Sequence, residues 1–426
     1  MGQAASTPAA PAQAATKAEP PADMGAPIED MSLSSAILFA RKFTQRHPLF
    51  AWRPDEHVLR RIGSRALKHS FLVDCTDLSG AANASVLLSL VPTQASLLCH
   101  QSSGLTTYKL KSLLVALKHP YLLPTLDVHY ANEKGSSVEV MQRPGILVAQ
   151  PFVSTGSLKD LLFQRADPRK AYDEKYAPQH TGAGLPRPQV ARYGRQILLG
   201  LDALRQKGIL CEHLKLSNII LDNGVARIAD IYNTVLGLER DATWRAWTVP
   251  LEGAVDVDLL LFGHCLYEMA CGQELAAVVP AEGDLVELPI ETADVLRVIF
   301  YGGGPEVSAE TLLQLPLFAL IGPNDTPLPP LRLDSHMKTL LKASMRINQA
   351  RRHAYRVQYE DTIALEEARR SAEASHDEKR KGHQQRTRAL VASKSMRRSR
   401  YRASSVSIKY ARTSFDDGNE ASSVAP

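Results

Sequence analysis

The chain has 426 residues, 44% of them hydrophobic, and a formal net charge of +5. It is long enough for one large domain with tails or for two average ones. No apolar run approaches the roughly 18–20 residues that span a bilayer, and no secretory pattern opens the chain. The five scattered cysteines contain no Cys-x-x-Cys pair, which excludes a zinc ribbon and a disulfide frame and points to a reducing, cytosolic compartment.

Residues 1–30 are mostly Ala, Pro, Ser, Thr and Gln and read as a disordered arm. The arm opens Met1-Gly2-Gln3-Ala4-Ala5-Ser6, which fits the N-myristoylation pattern, with Gly2 as the acceptor. Residues 31–70 set Phe39, Phe43, Phe50 and Trp52 among eight Lys/Arg between Arg41 and Lys68. That mixture predicts short amphipathic helices packed on the next domain.

From residue 71 strand and helix signals alternate. Apolar runs at 71–73 and 86–91 predict strands, and helical spacing over 107–117 ends at Lys118-His119-Pro120. Segments 126–130 and 137–141 flank Glu133-Lys134-Gly135 as a hairpin, and 146–148 predicts another strand. Ser157 is placed to cap a short helix. A helical part begins near Pro188, with 191–207 as its first long helix. After Pro329-Pro330 the chain lacks glycine from Leu331 to Lys381, which predicts a long helix over 335–378. Residues 383–426 read as a disordered Ser/Arg-rich tail. From Lys379 to Arg412 there are twelve Lys/Arg and no acid, a block suited to anionic membranes or acidic partners.

Residues 211–230 carry the most specific signal. Leu214, Lys215, Asn218, the run Ile219-Ile220-Leu221 and Asp230 match a protein-kinase catalytic loop and the metal-binding Asp beyond it. His213, however, stands where the catalytic Asp belongs, Glu212 replaces the preceding Arg, and Ile231-Tyr232 replaces Phe-Gly. The expected fold is therefore α+β, a two-lobed protein-kinase-like domain over 71–328 with its hinge near 150–153. Tyr193-Gly194-Arg195-Gln196-Ile197-Leu198 and Phe262-Gly263-His264-Cys265-Leu266-Tyr267-Glu268-Met269 sharpen this. With Gly184-Leu185-Pro186, Lys207-Gly208-Ile209 and Leu236-Gly237-Leu238, the chain resembles the divergent kinase-like family of PX-domain-containing kinase-like and slowpoke-binding proteins. The resemblance covers residues 105–275 and implies regulation of membrane or trafficking proteins. No room is seen for a PX domain ahead of it.

Phosphoryl transfer needs a Gly-rich loop, a lysine held by a helix glutamate, metal ligands and a base. Between Ser64 and Ser103 the only glycine is Gly80. No lysine lies between Lys68 and Lys109, so the strand at 86–91 offers ATP no cation, and no acid lies from His100 to Leu126. His213 reads either as a backbone-bridging residue or as a substitute base. The resemblance implies Lys215 near a transferred phosphate and Asn218 and Asp230 as magnesium ligands. They are kept either for a weak Mg-nucleotide site or for loop hydrogen bonds. Asp258 resembles the buried helix Asp that braces the loop.

These features are expected to make a pseudokinase scaffold, peripheral on the cytoplasmic face of the plasma membrane or endosomes, that requires no cofactor. The myristoyl group and the basic clusters supply two membrane signals. Ser399 and Ser405, in basic contexts, are expected phosphorylation sites that would weaken that attraction. Nucleic acid is a poorer partner, because the tail has few rings for stacking. The alternatives are an unorthodox Ser/Thr kinase recruiting Lys109 or Lys111, and a cytoskeletal adaptor.

Overall fold

The computed structural model describes residues 32–53, 58–59, 68–76, 84–92, 107–130, 145–167, 170, 172–177, 180–238, 240, 244, 247–248, 251, 256–302, 307–319, 321 and 330–413. Gly2, Gly80 and the segment 137–141 lie outside them. The chain divides into a compact unit, Met1–Arg356, and a second unit, Val357–Pro426.

The first unit begins with α1 (Leu33–Arg46), opened by the Ser32 side chain, which accepts from the Ser35 amide. Strands β1 (Phe50–Trp52), β2 (Val58–Leu59), β3 (His69–Cys75) and β4 (Ala84–Pro92) follow, then α2 (Thr107–Ala116), β5 (Asp127–Tyr130) and β6 (Gly145–Pro151). The sheet is antiparallel, in the order β1-β3-β4-β6-β5, with β2 also paired to β3. The sheet therefore starts at Phe50, ahead of the expected boundary at 71. Phe50–Trp52 and Val58–Leu59 satisfy their backbone by pairing with β3 and not by coiling into helices.

The period-2 alternation of strand side chains divides this sheet between two cores. Phe71, Val73, Val86, Leu88, Leu147 and Ala149 pack with Ala36, Phe39 and Ala40 of α1. Val91, Ile146, Val148 and Val128 pack with Leu110, Leu113, Leu114 and Leu117. Covered on both faces, β6 reads as a continuous apolar run.

The helical part contains α3 (Leu158–Phe163), α4 (Tyr172–Lys175), α5 (Arg187–Arg205), a 3₁₀ turn at Leu216–Asn218, β7 (Ile219–Asp222) paired with β8 (Val225–Ile228), and α6 (Ile231–Leu236). Then come α7 (Val257–Cys271), α8 (Glu282–Val286), α9 (Ile290–Tyr301), α10 (Ala309–Leu313) and α11 (Pro316–Ala319). Ser157 caps α3 with a full capping box to Asp160. Helix α7 is the central post, buried from Asp258 to Met269, and opens on Asp256, whose carboxylate takes the Asp258 and Leu259 amides. A Cβ at Gly263 would lie 2.8 Å from the Phe300 ring, so only glycine lets α9 approach α7 this closely. Leu123 N donates to Ile228 O and Ile228 N to Tyr121 O, both at 2.8 Å, stitching the chain after α2 to β8.

The last helix, α12, runs Ser335–Thr413. Both its expected end at 378 and the expected disorder from 383 to 413 are corrected. Gly382 is the only glycine and no proline interrupts the run, so a sequence rich in Ala, Arg, Lys, Gln and Glu continues helical. No helix among the described residues is long and apolar enough to cross a membrane.

Candidate functional site

Between the sheet and the helical part lies a cleft lined by Lys68, Gln150–Val153, Ser217, Asn218 and Asp230, and by residues of α3 and α4. Asp230 holds φ 60°, ψ 23° at the start of α6, a left-handed conformation that an Asp tolerates better than most residues. The conformation puts its carboxylate in the cleft, where Lys68 Nζ reaches Oδ2 at 2.5 Å and donates to the Tyr232 hydroxyl at 2.9 Å. All three are buried in the pair's core, with side-chain exposures of 4% for Lys68 and 7% for Asp230. Burial works against a charged ammonium, but Asp230 and then Tyr232 override it and the Lys68 pKa is raised.

The cation of the cleft is one the sequence did not single out. The strand at 84–92 indeed offers no lysine, but Lys68, immediately before β3, reaches across to Asp230. Neither alternative donor serves: Lys111 pairs with Asp127 at 2.7 Å, and Lys109 is exposed. Lys68 is not legible in the sequence, because a lysine at a strand's start carries no periodic signal and only the sheet register aims it.

The catalytic loop is held by backbone bonds. Asp258 is buried and Oδ1 accepts from Cys211 N at 2.8 Å. Burial pushes its carboxyl up to about 6, although the Cys211 amide pulls the other way. His213 is buried with Nε2 3.2 Å from the Leu238 carbonyl, to which it donates. Burial, and after it the Arg240 cation, pushes its pKa down to about 3. So weak a base gains nothing by accepting a hydroxyl proton near neutral pH. Asn218 donates from Nδ2 to His213 O at 2.8 Å, and its Oδ1 is buried without a hydrogen-bond partner. Lys215 sits 5.4 Å from the Tyr172 ring centroid, and so faces a ring where the resemblance implied a phosphate.

Helix α4, to which the sequence assigned nothing, fills the outer cleft. Tyr176 donates to Asp160 Oδ1 at 2.6 Å, and Lys175 pairs with the same carboxylate. Lys159, beneath them, is buried against Glu268 at 3.1 Å and also pairs with Glu274. What remains open is about 70 Å³, against the ~300–1,000 Å³ of ordinary ligand pockets.

Glu212 has a defined role. Its carboxylate pairs with Arg352 and lies 3.9 Å from Arg351, both on α12. Arg351 Nη1 donates to Gly237 O, Asn348 Nδ2 to Thr234 O at 2.7 Å and Ser344 Oγ to Val235 O. The start of α12 thus covers α6 and is tied to the catalytic loop through the reversed charge at 212. Of the modification residues, Ser399 is exposed on α12 and Ser405 lies on the same helix.

One group among the described residues has metal-ligand spacing: His47, Asp127 and His129. Its side chains already bond one another and the chain. His47 Nδ1 accepts the Leu49 amide at 3.2 Å, and Asp127 takes Lys111 at 2.7 Å and His129 at 3.0 Å. It is a clasp between the end of α1 and the edge of the sheet.

The fold and this cleft define a protein-kinase-like chain whose catalytic loop is substituted and whose cleft is filled by its own side chains. Comparison with known proteins agrees in class, although no protein-family model matches. Over 227 residues the chain is 36% identical to the Drosophila melanogaster Slowpoke-binding protein, covering 52% of this chain and 41% of that one. It is 30% identical over 237 residues to the PX domain-containing protein kinase-like protein of Mus musculus, covering 54% and 38%. With slob2 of Dictyostelium discoideum, named a probable inactive serine/threonine-protein kinase, identity is 29% over 300 residues, covering 68% and 48%. The chain spans less than half the length of each of these relatives. Among solved structures, a MAP kinase from Leishmania major is similar with a TM-score of 0.44 and 16% identity, over 74% of this chain and 98% of that one.

Proposed function

We propose that this chain is a catalytically silent kinase-like scaffold that works by binding proteins at the cytoplasmic face of a membrane. The observation that carries the reading is the filled cleft. Asp230 is committed to Lys68, Asp160 to Lys175 and Tyr176, and His213 to a backbone carbonyl. The relatives' names support it, since one is named for what it binds and another as probably inactive. Membrane attachment rests on the Gly2 pattern together with the basic run from Lys379 to Arg412.

The test is nucleotide-dependent melting of the full chain with Mg-ATP, alongside a phosphotransfer assay. A nucleotide at a hundredfold its Kd stabilises a protein by about 2.7 kcal/mol, which melting would register. No shift and no transfer are expected. Saturable stabilisation with phosphotransfer abolished by Asp230→Ala would establish an active kinase instead. One atom favours the intermediate reading of a weak Mg-nucleotide site: Asn218 Oδ1, buried and unpartnered. In that reading Asn218 and Asp230 would hold the ion that neutralises phosphate charge, and stabilisation would appear without transfer.

A further inference from the structure

Helix α2 buries Leu110, Leu113 and Leu114 and turns Lys111 and Val115 outward, one turn apart, with exposed Lys118 just past its end. Facing it across an open groove of about 590 Å³ are Pro330, Arg332 and Met337, the approach to and first turn of α12. Leu126, 44% exposed, lies at the groove's end. The groove continues past Arg332 and Met337 to Lys207 and Lys338. The floor is thus apolar, and Lys111, Lys118, Arg332, Lys207 and Lys338 line it. Against these five cations stands Asp334 among the lining residues, and its carboxylate also caps the Met337 amide at 2.7 Å. Asp127, adjacent, offsets Lys111.

We propose that this groove docks an acidic segment of a partner protein, one that alternates Asp or Glu with bulky apolar side chains. The apolar floor supplies burial, and the basic rim supplies orientation and rate of encounter. Among the described residues the groove's cations outnumber its acids, and an acidic ligand completes that balance. A purely polar anion would leave Val115, Leu126 and Met337 uncovered, and an apolar ligand would leave the cations without partners. The proposal deepens the scaffold reading by naming a class of client, but the site lies outside the nucleotide cleft, so its test is independent of catalysis.

A library of random peptides displayed on phage is panned on the full chain, and enriched peptides are measured by fluorescence anisotropy. The counter-target is Lys118→Glu/Arg332→Glu, two exposed positions whose reversal leaves the core untouched. Enrichment of acidic–apolar peptides is expected, with affinity about tenfold weaker for the double variant and weaker also for Leu126→Asp, and falling with salt. Equal melting temperatures of the variants and the parent check that the fold is retained. The proposal is overturned if no peptide enriches, if the enriched peptides lack acidic residues, or if both variants bind them as the parent does. Phosphatidylserine vesicles that bind the parent and not the double variant, while no peptide enriches, would make the groove a lipid-facing surface instead.

Discussion

At the scale of single residues, the deciding fact is that charges inside the cleft are partnered by the chain itself. Lys68 and Asp230 are both nearly inaccessible, so removing one strands the other in a poorly solvated place. Asp230→Ala is expected to cost about 3–5 kcal/mol in chemical denaturation, and Lys68→Met in the same chain should recover much of it. If Asp230→Ala is neutral, the pair is not formed in solution. Acid titration reports the buried histidines. His213 and His264 are pushed down to about 3 and 4, mainly by burial. The unfolded chain takes up these protons first, near 6.5, so stability is full above that value and is lost as pH falls toward 4. Asp258, raised to about 6, acts in the opposite direction, losing stability as pH rises from about 4 to 6. Glu268, raised to about 7 mainly by burial, acts with Asp258, so the two carboxyls offset most of what the two histidines lose and denaturation midpoints should fall only shallowly from pH 6.5 downward. His264→Gln should flatten that slope and Asp258→Asn should steepen it.

At the scale of elements, α4 narrows the cleft and α12 is tied to the catalytic loop. Glu212, at the position of the Arg in the kinase catalytic loop, holds Arg351 and Arg352. Glu212→Arg, which restores the kinase residue type, sets like charges against each other. It should weaken the docking of α12 by about 1–3 kcal/mol, allowing for the partial exposure of the pair. Amide exchange over residues 340–356 should rise, and unchanged protection there would show that apolar contacts through Leu340 and Leu341 suffice. The substitutions at 212, 213 and 232 were readable, because a motif violated at fixed positions needs no tertiary information. What those substitutions bond to was not readable. Arg352 lies 140 positions from Glu212, and Lys68 lies 162 from Asp230. Helix α4 escaped notice because four residues carry too little periodicity.

At the scale of the whole molecule, attachment to membranes should need both the N-terminal acyl group and the basic tail. One myristoyl chain binds with only about 10⁴ M⁻¹, and basic residues add about 1 kcal/mol each near an anionic leaflet. Gly2→Ala, or Ala at Arg397, Arg398, Arg400 and Arg402, should each move most of the protein to the soluble fraction in flotation assays. High salt should mimic only the second. A Gly2→Ala protein that stays membrane-bound at high salt would point to a protein anchor. The sequence by itself determined the class of fold, the loss of the catalytic residues and the helical character after Pro330, since each depends on local residue types and on spacing. The tertiary structure decided where the sheet begins, which lysine answers Asp230, and that Glu212 anchors a distant helix. Pairings between residues so far apart in the chain are set by strand register and helix packing, and composition and periodicity carry no record of either.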